Sequence, residues 1–237
     1  MPSAVQRAMA NARLKSKVVI AKVGRDSLRL DTIVNLPKIE TWRREHVPAG
    51  TPAFDHREEM YDHLHETLIG DNPVDYLEFG VFEGNSLRHW ANLNKNADSR
   101  FYGFDSFEGL PETWKRFDNK MVKAHFDVNG ALPDIEDDRV EFIAGWFQES
   151  VDPFLEKFTP ESQLIVHIDA DLYSSALYVL TRLNALLVPG TIVVFDEFSS
   201  VLNEFQALEN YCSAYQREYD VLAHSWYYFG QVAIQMR

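Results

Sequence analysis

The chain of 237 residues predicts an α/β fold, built on a seven-stranded, mostly parallel sheet with helices on both faces. Apolar stretches of strand length alternate with stretches of helical periodicity from residue 55 onward. Two of the strand-like stretches, LIVHI and TIVVF, are mostly apolar, as strands buried on both faces of a parallel sheet are. A short connection around Gly230 joins the last two predicted strands, which indicates an antiparallel hairpin at that end of the sheet.

The first 54 residues are predicted to form an N-terminal extension. They lack clean periodicity, although residues 7–23 could form one helix and residues 27–36 a short strand or turn. The Pro- and Gly-rich segment 46–54 is typical of a loop that leads into a main domain of residues 55–237. We expect the extension to act as a lid, an arm or a contact between the subunits of a homodimer.

The elements of the main domain follow from periodicity and from turn residues. Helix 55–69 places Met60, Leu64 and Leu68 at spacings of four, on one face. Pro189 and Gly190 end a later helix. The other predicted elements, in chain order, are strand 74–80, helix 85–94, strands 100–105, 139–145 and 163–169, helix 174–187, strand 191–196, helix 202–219, and closing strands 220–226 and 231–236.

Composition and charge exclude several classes of function. No apolar run reaches the roughly 18 residues of a membrane helix, and no signal peptide is evident, so we expect a cytoplasmic protein without a membrane partner. Residues 1–48 carry ten Lys and Arg against four Asp and Glu, whereas the remainder carries 13 against 32. Such an acidic main domain argues against binding of nucleic acid.

Acidic side chains stand at the carboxyl ends of four predicted strands, at Glu78, Asp105, Asp169 and Asp196. Ligands of open α/β sheets bind at this edge, so the four positions predict a single site.

The first of these strands runs into the turn YLEFGVFEGNS, which has the features of a nucleoside pocket. Gly80 and Gly84 permit a tight turn with backbone close to a ligand, and the helix that follows offers free N–H groups to an anion. Asp105, at the next strand end, can accept two hydrogen bonds from ribose hydroxyls. In the turn after the third strand, Trp146 can stack on a purine.

The second half of the chain concentrates carboxylates where two neighbouring strands end. Asp169 and Asp171 follow one strand, and Asp196 and Glu197 end the next. Mg²⁺ is typically held by a few carboxylates together with water and substrate. Asp169, Asp196 and Glu197 therefore predict a metal site, provided that the chain leaves strand geometry after Asp196, since successive strand residues face opposite sides. The alternative role of Asp171 is to cap helix 174–187.

Five motifs together resemble the class I S-adenosylmethionine-dependent methyltransferases, and within them the macrocin O-methyltransferase-like group. They lie in the same order, at residues 78–86, 103–111, 145–147, 167–174 and 195–198. The resemblance implies a Rossmann-like fold, S-adenosylmethionine as methyl donor, and a small-molecule hydroxyl, on a sugar or a natural product, as acceptor. It implies Asp171 as the general base, and Mg²⁺ at Asp169, Asp196 and Glu197. The donor contacts that it implies are Glu78, Phe79, Gly80, Val81, Gly84, Ser86, Asp105, Ser106, Gly145, Trp146 and Asp169.

The leading interpretation is thus a divalent-metal-dependent O-methyltransferase. Transfer of methyl from a sulfonium mainly requires alignment and a better nucleophile. A bound cation would acidify the acceptor hydroxyl, and Asp171 would take its proton.

Two alternatives remain open from the sequence. A metal-dependent glycosyltransferase would use Asp169-x-Asp171 to bind a nucleotide sugar, but it leaves Glu78-x-Gly80 and Asp105 without a role. A methyltransferase-like protein that only binds ligands is the other, and the retained acidic residues argue against it.

Overall fold

The computed structural model describes residues 28–115, 121–122 and 126–237, together with single positions 9, 15 and 17. Its α-helices are α1 (Leu28–His46), α2 (Arg57–Leu64), α3 (Asn85–Leu93), α4 (Phe147–Leu155), α5 (Tyr173–Arg182) and α6 (Glu204–Tyr215). A π-helical turn, His65–Ile69, continues α2. Its strands are β1 (Ala53–Phe54), β2 (Val74–Phe79), β3 (Arg100–Asp105), β4 (Trp114–Lys115), β5 (Met121–Val122), β6 (Val140–Ala144), β7 (Gln163–Ile168), β8 (Ile192–Phe195), β9 (Tyr219–Ser225) and β10 (Gln231–Met236).

The main sheet has the order β1-β9-β10-β8-β7-β2-β3-β6. Pairing is parallel throughout β8, β7, β2, β3 and β6, and β10 runs antiparallel to both of its neighbours. The predicted seven strands and the C-terminal hairpin are therefore confirmed. Strand β1 has only two residues, pairs in parallel with β9 at the edge, and lies in the segment that was predicted to be a loop.

Both faces of the sheet are covered, as predicted. Strand β2 is buried at all six positions, with Leu77 and Phe79 in one apolar cluster and Val74 and Tyr76 in the other. The first cluster takes in α1, α4, α5 and α6, and the second takes in α2 and α3. Because alternate residues of a strand face opposite sides, a strand covered on both faces has no solvent-exposed face, and even Asp75 and Glu78 of β2 are buried.

The register brings the polar strand ends to one height. Phe79 pairs with Ile168, and Ile168 pairs with Phe195, so Gly80, Asp169 and Asp196 follow three adjacent strands at the same level. The backbone continues this alignment for one residue beyond the strands. The amide of Asp169 donates to the carbonyl of Phe79 at 2.9 Å, and the amide of Asp196 donates to the carbonyl of Ile168 at 3.0 Å.

Two further segments differ from the prediction, and both lie in helices that contain a proline. The predicted strand or turn at 27–36 is wrong, because residues 28–36 belong to α1, which continues through Pro37. Helix α4, which the sequence did not predict, contains Pro153. Proline disfavours helix interiors by about 3 kcal/mol, and here burial of apolar side chains outweighs that cost. Most of the predicted helix 7–23 lies outside the described residues.

Helix α1 packs onto the main domain. Trp42 is 1% exposed, and its Nε1 donates to the hydroxyl of Tyr219 at 2.7 Å. Its ring lies 4.7 Å from that of Phe198 and 5.5 Å from that of Phe229. A lid, arm or dimer role for the first 54 residues stays a prediction. None of the helices that the structure describes is long and apolar enough to cross a membrane.

Candidate active site

A cleft of about 360 Å³ opens at the carboxyl edge of the central strands. Its volume falls within the range of small-molecule sites, roughly 300–1,000 Å³. Most of the residues predicted for the site line it: Gly80, Val81, Ser86, Asp105, Ser106, Gly145, Trp146, Asp169, Asp171, Asp196 and Glu197. The sequence therefore located the edge of the sheet and the strands that build this cleft.

Three predicted donor contacts do not line the cleft. Glu78 is 1% exposed and accepts a hydrogen bond from the Tyr76 hydroxyl at 2.6 Å. Phe79 belongs to the core, where its ring stacks on Phe104 with centroids 4.6 Å apart. Gly84 is the N-cap of α3, in a left-handed conformation with φ +73°. Its contribution is the shape of the turn, not a side chain.

Gly80 is required by a close approach of two strand ends. A Cβ atom at this position would lie 1.8 Å from the carbonyl oxygen of Asp169, and the φ of Gly80 is +98°. Only glycine combines this conformation with the absence of a side chain. The backbone turn of the predicted donor pocket thus rests directly on the acidic loop that follows β7.

Asp105 holds the turn after β2 in place. Its Oδ2 accepts from the amides of Val81 at 2.8 Å and Phe82 at 2.9 Å, and its Oδ1 accepts from the amide of Phe107 at 2.8 Å. Phe82 and Phe107 both have positive φ, so these bonds offset some of the cost of unusual backbone. A carboxylate offers about four acceptor positions, and three amides already use three of them, so there is capacity for about one of the two predicted hydrogen bonds to ribose.

Asp171 lies in the cleft in a strained conformation. It is 6% exposed, and its φ is +59°. The N-cap of α5 is Leu172, so Asp171 does not have the capping position that was its alternative role. Left-handed backbone at a non-glycine residue concentrates at functional sites, where surrounding structure maintains it.

The two carboxylates at the ends of β7 and β8 have opposite pKa shifts. Burial raises the pKa of Asp169 well above its usual value, and the charges of Asp196, Asp171 and Glu204 add to the increase. Burial acts in the same direction on Asp196, but nearby His167 and Arg57 outweigh it and lower the pKa of Asp196. Neighbouring carboxylates with divergent pKa values are typical of sites that handle protons.

Arg57, from the first turn of α2, supplies the positive charge beside this pair. Its Nη1 lies 3.0 Å from both carboxylate oxygens of Asp196 and 3.8 Å from Oδ2 of Asp169. The sequence did not single out Arg57. In the sequence it is one more charged residue in a helical segment, and only the packing of α2 against the sheet brings it to the cleft.

The predicted magnesium site does not fit the arrangement of these side chains. Within residues 28–115, 121–122 and 126–237, no group of three or more His, Cys, Asp or Glu side chains is placed to hold a metal ion. The oxygen donors have suitable chemistry, and Asp169, Asp196 and Glu197 all line the cleft. However, the guanidinium of Arg57 already contacts two of the three. Metal binding by these residues stays a prediction.

A buried polar chain connects Asp196 with Glu78. The Tyr76 hydroxyl donates to Glu78, so it accepts from Nδ1 of His167, which lies 2.7 Å away. Nε2 of His167 lies 3.4 Å from the Tyr61 hydroxyl and 3.9 Å from Oδ1 of Asp196. Burial opposes protonation of His167, yet Asp196 and Glu78 raise its pKa. His167 is thus a fully buried residue with a carboxylate on either side.

Glu204 fastens the two acidic loops to each other. Its side chain is fully buried, and its oxygens accept from the amide of Ala170 at 3.2 Å and from the amide of Glu197 at 2.9 Å. Burial raises the pKa of Glu204 well above its usual value. Sequence reasoning missed this residue, because an acidic residue in the first turn of a helix is ordinarily explained by the helix dipole.

The fold is that of solved O-methyltransferases. The structure of the O-methyltransferase NovP aligns with a TM-score of 0.56 at 22% identity, covering 76% of this chain and 78% of that chain. An O-methyltransferase from Bacillus cereus, determined in complex with SAH, aligns with a TM-score of 0.51 at 16% identity, covering 92% of this chain and 94% of that chain.

Sequence comparison then shows the family. The profile of the macrocin-O-methyltransferase (TylF) family matches residues 50–223, and the chain belongs to this family. The predicted resemblance is therefore confirmed.

Two curated relatives come from Streptomyces. The 8-demethyl-8-(2,3-dimethoxy-alpha-L-rhamnosyl)-tetracenomycin-C 4'-O-methyltransferase of Streptomyces olivaceus is 30% identical over 56% of this chain. The demethyldecarbamoylnovobiocin O-methyltransferase of Streptomyces niveus is 26% identical over 56% of this chain. The matched segments cover 57% and 56% of these relatives, so the chain spans little more than half of their length.

Proposed function

We propose that this chain is an O-methyltransferase that moves a methyl group from S-adenosylmethionine to a hydroxyl of a small molecule. The acceptor class that we propose is a sugar carried by a natural product, because one curated relative is named for a rhamnosyl substrate. The observation that carries the proposal is the composition of the cleft. The glycine turn after β2 and the acidic loops after β7 and β8 line the same cavity.

The donor half of the cleft is built to hold an adenosyl group beside exposed backbone. When bound, S-adenosylmethionine supplies a methyl group on a positively charged sulfur, which leaves as a neutral thioether. Asp105 fixes the turn at Val81 and Phe82, and Gly80 keeps side-chain atoms away from the point where two strands meet. Trp146 lines the same cavity and offers a face for stacking. Together these residues align the donor, which is the main requirement of a displacement reaction.

The acidic half of the cleft is suited to taking a proton. A hydroxyl that attacks the methyl carbon must lose its proton as the new carbon–oxygen bond forms, and Asp171 is the carboxylate that we assign as the acceptor of that proton. Asp169, whose raised pKa favours its protonated form, lies close enough for the two charges to influence each other. Glu204 holds the loops that carry these groups, through the amides of Ala170 and Glu197.

No step of this proposal passes through a metal ion. The finer prediction, that Mg²⁺ bound by Asp169, Asp196 and Glu197 assists the reaction, requires an arrangement in which Arg57 no longer contacts Asp196. Turnover in the presence and absence of EDTA tests that prediction separately from the methyl-transfer proposal.

Asp171→Asn tests the proposed chemistry. We expect the variant to bind SAH as the wild type does, and its turnover with glycoside acceptors to fall roughly 10²- to 10⁴-fold, the range for loss of a general base. Calorimetry gives SAH affinity, and mass spectrometry of the methylated acceptor gives turnover. Asp138→Asn, at an exposed carboxylate, is the matched control and should change neither quantity.

The outcomes separate the alternatives. A wild-type protein that binds no adenosyl ligand would contradict the proposal and favour a different ligand, such as a nucleotide sugar. Binding of SAH without turnover on any hydroxyl acceptor would favour the non-catalytic alternative. Undiminished turnover in Asp171→Asn would remove Asp171 from the mechanism.

A further inference from the structure

A second cleft, of about 300 Å³, lies between the first half of α1, the loop that joins β8 to α6, and the turn that joins β9 to β10. Two side chains of that turn, Tyr227 and Tyr228, line it together with Ser199, Ser200 and Asn203 of the loop. Among the described residues that line this cleft none is charged, whereas the active-site cleft is lined by several carboxylates. We call it the tyrosine cleft.

The tyrosine cleft lies at the same edge of the sheet as the candidate active site. Val232, at the start of β10, pairs with Phe195, at the end of β8, so the turn 226–230 stands beyond the carboxyl end of β8. The amide of Phe198 donates to the carbonyl of Gly230 at 2.8 Å, which ties the loop after β8 to that turn. Ligands of open α/β sheets bind at this edge.

One loop contributes to both clefts. Glu197 lines the active-site cleft, and Ser199 lines the tyrosine cleft. Two residues of extended chain span at most about 7 Å. These parts of the two walls are therefore closer together than the length of a sugar joined to a fused ring system, so one such molecule can contact both clefts.

The turn that carries the tyrosines has an unfavourable backbone. Trp226, Tyr228 and Phe229 have φ angles of +58°, +55° and +62°. Left-handed backbone is rare for residues with a large side chain and concentrates at ligand-binding and active sites. Even so, the turn presents aromatic side chains to solvent, with Trp226 59% and Tyr227 88% exposed. A turn of this kind is typical of a surface on which a ligand stacks.

We propose that the tyrosine cleft binds the part of the acceptor that carries the methylated sugar, and that this part is an uncharged, flat ring system. Such a ring stacks on Tyr227 and Tyr228. Nδ2 of Asn203 donates to Oγ of Ser200 at 2.6 Å, which leaves the Ser200 hydroxyl proton for a carbonyl or hydroxyl of the ligand. A charged ligand would find no ion pair among the described residues of this cleft. The inference rests on the proposed function for the identity of the acceptor, but its test requires no turnover.

The first test uses 4-methylcoumarin, a neutral fused ring without a sugar, as the probe. Saturation-transfer-difference nuclear magnetic resonance measures its affinity for the full chain. We expect Tyr227→Ala to weaken binding at least about fivefold, because an aromatic stacking surface is lost, whereas Tyr227→Phe keeps the ring and should bind as the wild type does. Tyr227 is 88% exposed and does not have a positive φ, so its replacement by alanine disturbs neither the core nor the turn.

The chain offers a matched control in Tyr215. This tyrosine of α6 is 43% exposed and lines neither of the two clefts. Tyr215→Ala should therefore leave the affinity for 4-methylcoumarin unchanged. Calorimetric binding of SAH to each protein reports the donor site, so failure of the proposed function is seen separately from failure of this inference.

A second measurement compares two glycosides in the presence of SAH. 4-Methylumbelliferyl α-L-rhamnoside and methyl α-L-rhamnoside carry the same sugar, and only the first carries a fused ring. We expect the wild type to bind the first at least about tenfold more tightly, and Tyr227→Ala to lose most of this ratio.

Three results would overturn the inference. The first is 4-methylcoumarin that does not bind the wild type at millimolar concentration, or that binds Tyr227→Ala equally well. The second is equal affinity of the wild type for the two rhamnosides. The third is a wild-type dimer, seen in sedimentation velocity, that Tyr227→Ala converts to a monomer, because the tyrosines would then form a contact between two copies of the chain.

Discussion

Gly80→Ala should destabilise the protein more than Gly190→Ala, although the two glycines have nearly the same backbone conformation. Their φ angles are +98° and +96°. A Cβ atom at Gly190 meets nothing within 4 Å, whereas at Gly80 it would lie 1.8 Å from the carbonyl oxygen of Asp169. The pair therefore separates the cost of positive φ from the cost of the steric overlap.

The expected magnitudes follow from these two terms. An L-residue in the positive-φ region costs about 1–2 kcal/mol, which is the whole effect expected for Gly190→Ala. Overpacking adds about 1–3 kcal/mol, so Gly80→Ala should lose about 2–5 kcal/mol of a total stability of about 5–15 kcal/mol. The overlap is relieved only by moving β2 away from the loop that carries Asp169, so SAH affinity should fall as well.

Urea unfolding followed by tryptophan fluorescence measures the two free energies, and calorimetry measures SAH binding. The reasoning is refuted if the two variants differ by less than about 0.5 kcal/mol, the usual scatter of neutral substitutions. It is also refuted if Gly80→Ala binds SAH as tightly as the wild type, because the turn would then not depend on the close approach.

Two further predictions concern the packing of α1 and the buried histidine. Trp42→Ala should lower the free energy of unfolding in urea by about 3–5 kcal/mol, because it empties a site filled by a buried indole. Arg44→Ala, on the exposed face of α1, should change stability little. Equal effects of the two variants would mean that α1 does not stabilise the domain. The raised pKa of His167 predicts a contribution to stability that is complete below pH about 6.5 and is lost as pH rises through the folded-state pKa. The difference in Tm between wild type and His167→Gln should therefore narrow from pH 6 to pH 9, and a widening difference would contradict the assignment.

At the acidic end of the cleft, buried carboxylates lie beside basic side chains that oppose the effect of burial on their pKa values. Burial raises the pKa of both Asp169 and Glu204, so a charged carboxylate is costly at either position. Arg57 offsets part of the cost at Asp169, and His167 and Arg57 together lower the pKa of Asp196. The result is a group of carboxylates with different proton affinities at one end of the cleft.

The sequence by itself determined which strands end in a carboxylate and in what order they follow one another along the chain. Apolar strands that end in Asp105, Asp169 and Asp196 predicted a parallel sheet with one polar edge, and the cleft lies there. This inference succeeds because strands buried on both faces are mostly apolar, and because parallel strands end at the same edge. Asp171 and Gly80 were found for the same reason, as residues immediately beyond such strands.

Only the tertiary structure decided which partners these residues have. Arg57 lies 139 positions before Asp196 in the chain, and Tyr76 lies 91 positions before His167. No local periodicity records such contacts, since they depend on how α2 packs and on the register of β2 against β7. The same holds for α1, whose Trp42 is buried against Tyr219, 177 positions later in the chain. The apolar run of a strand and the residue that ends it are local features, so they can be read from a sequence. The basic side chain that neutralises a buried carboxylate is distant in the chain, and only the fold brings it there.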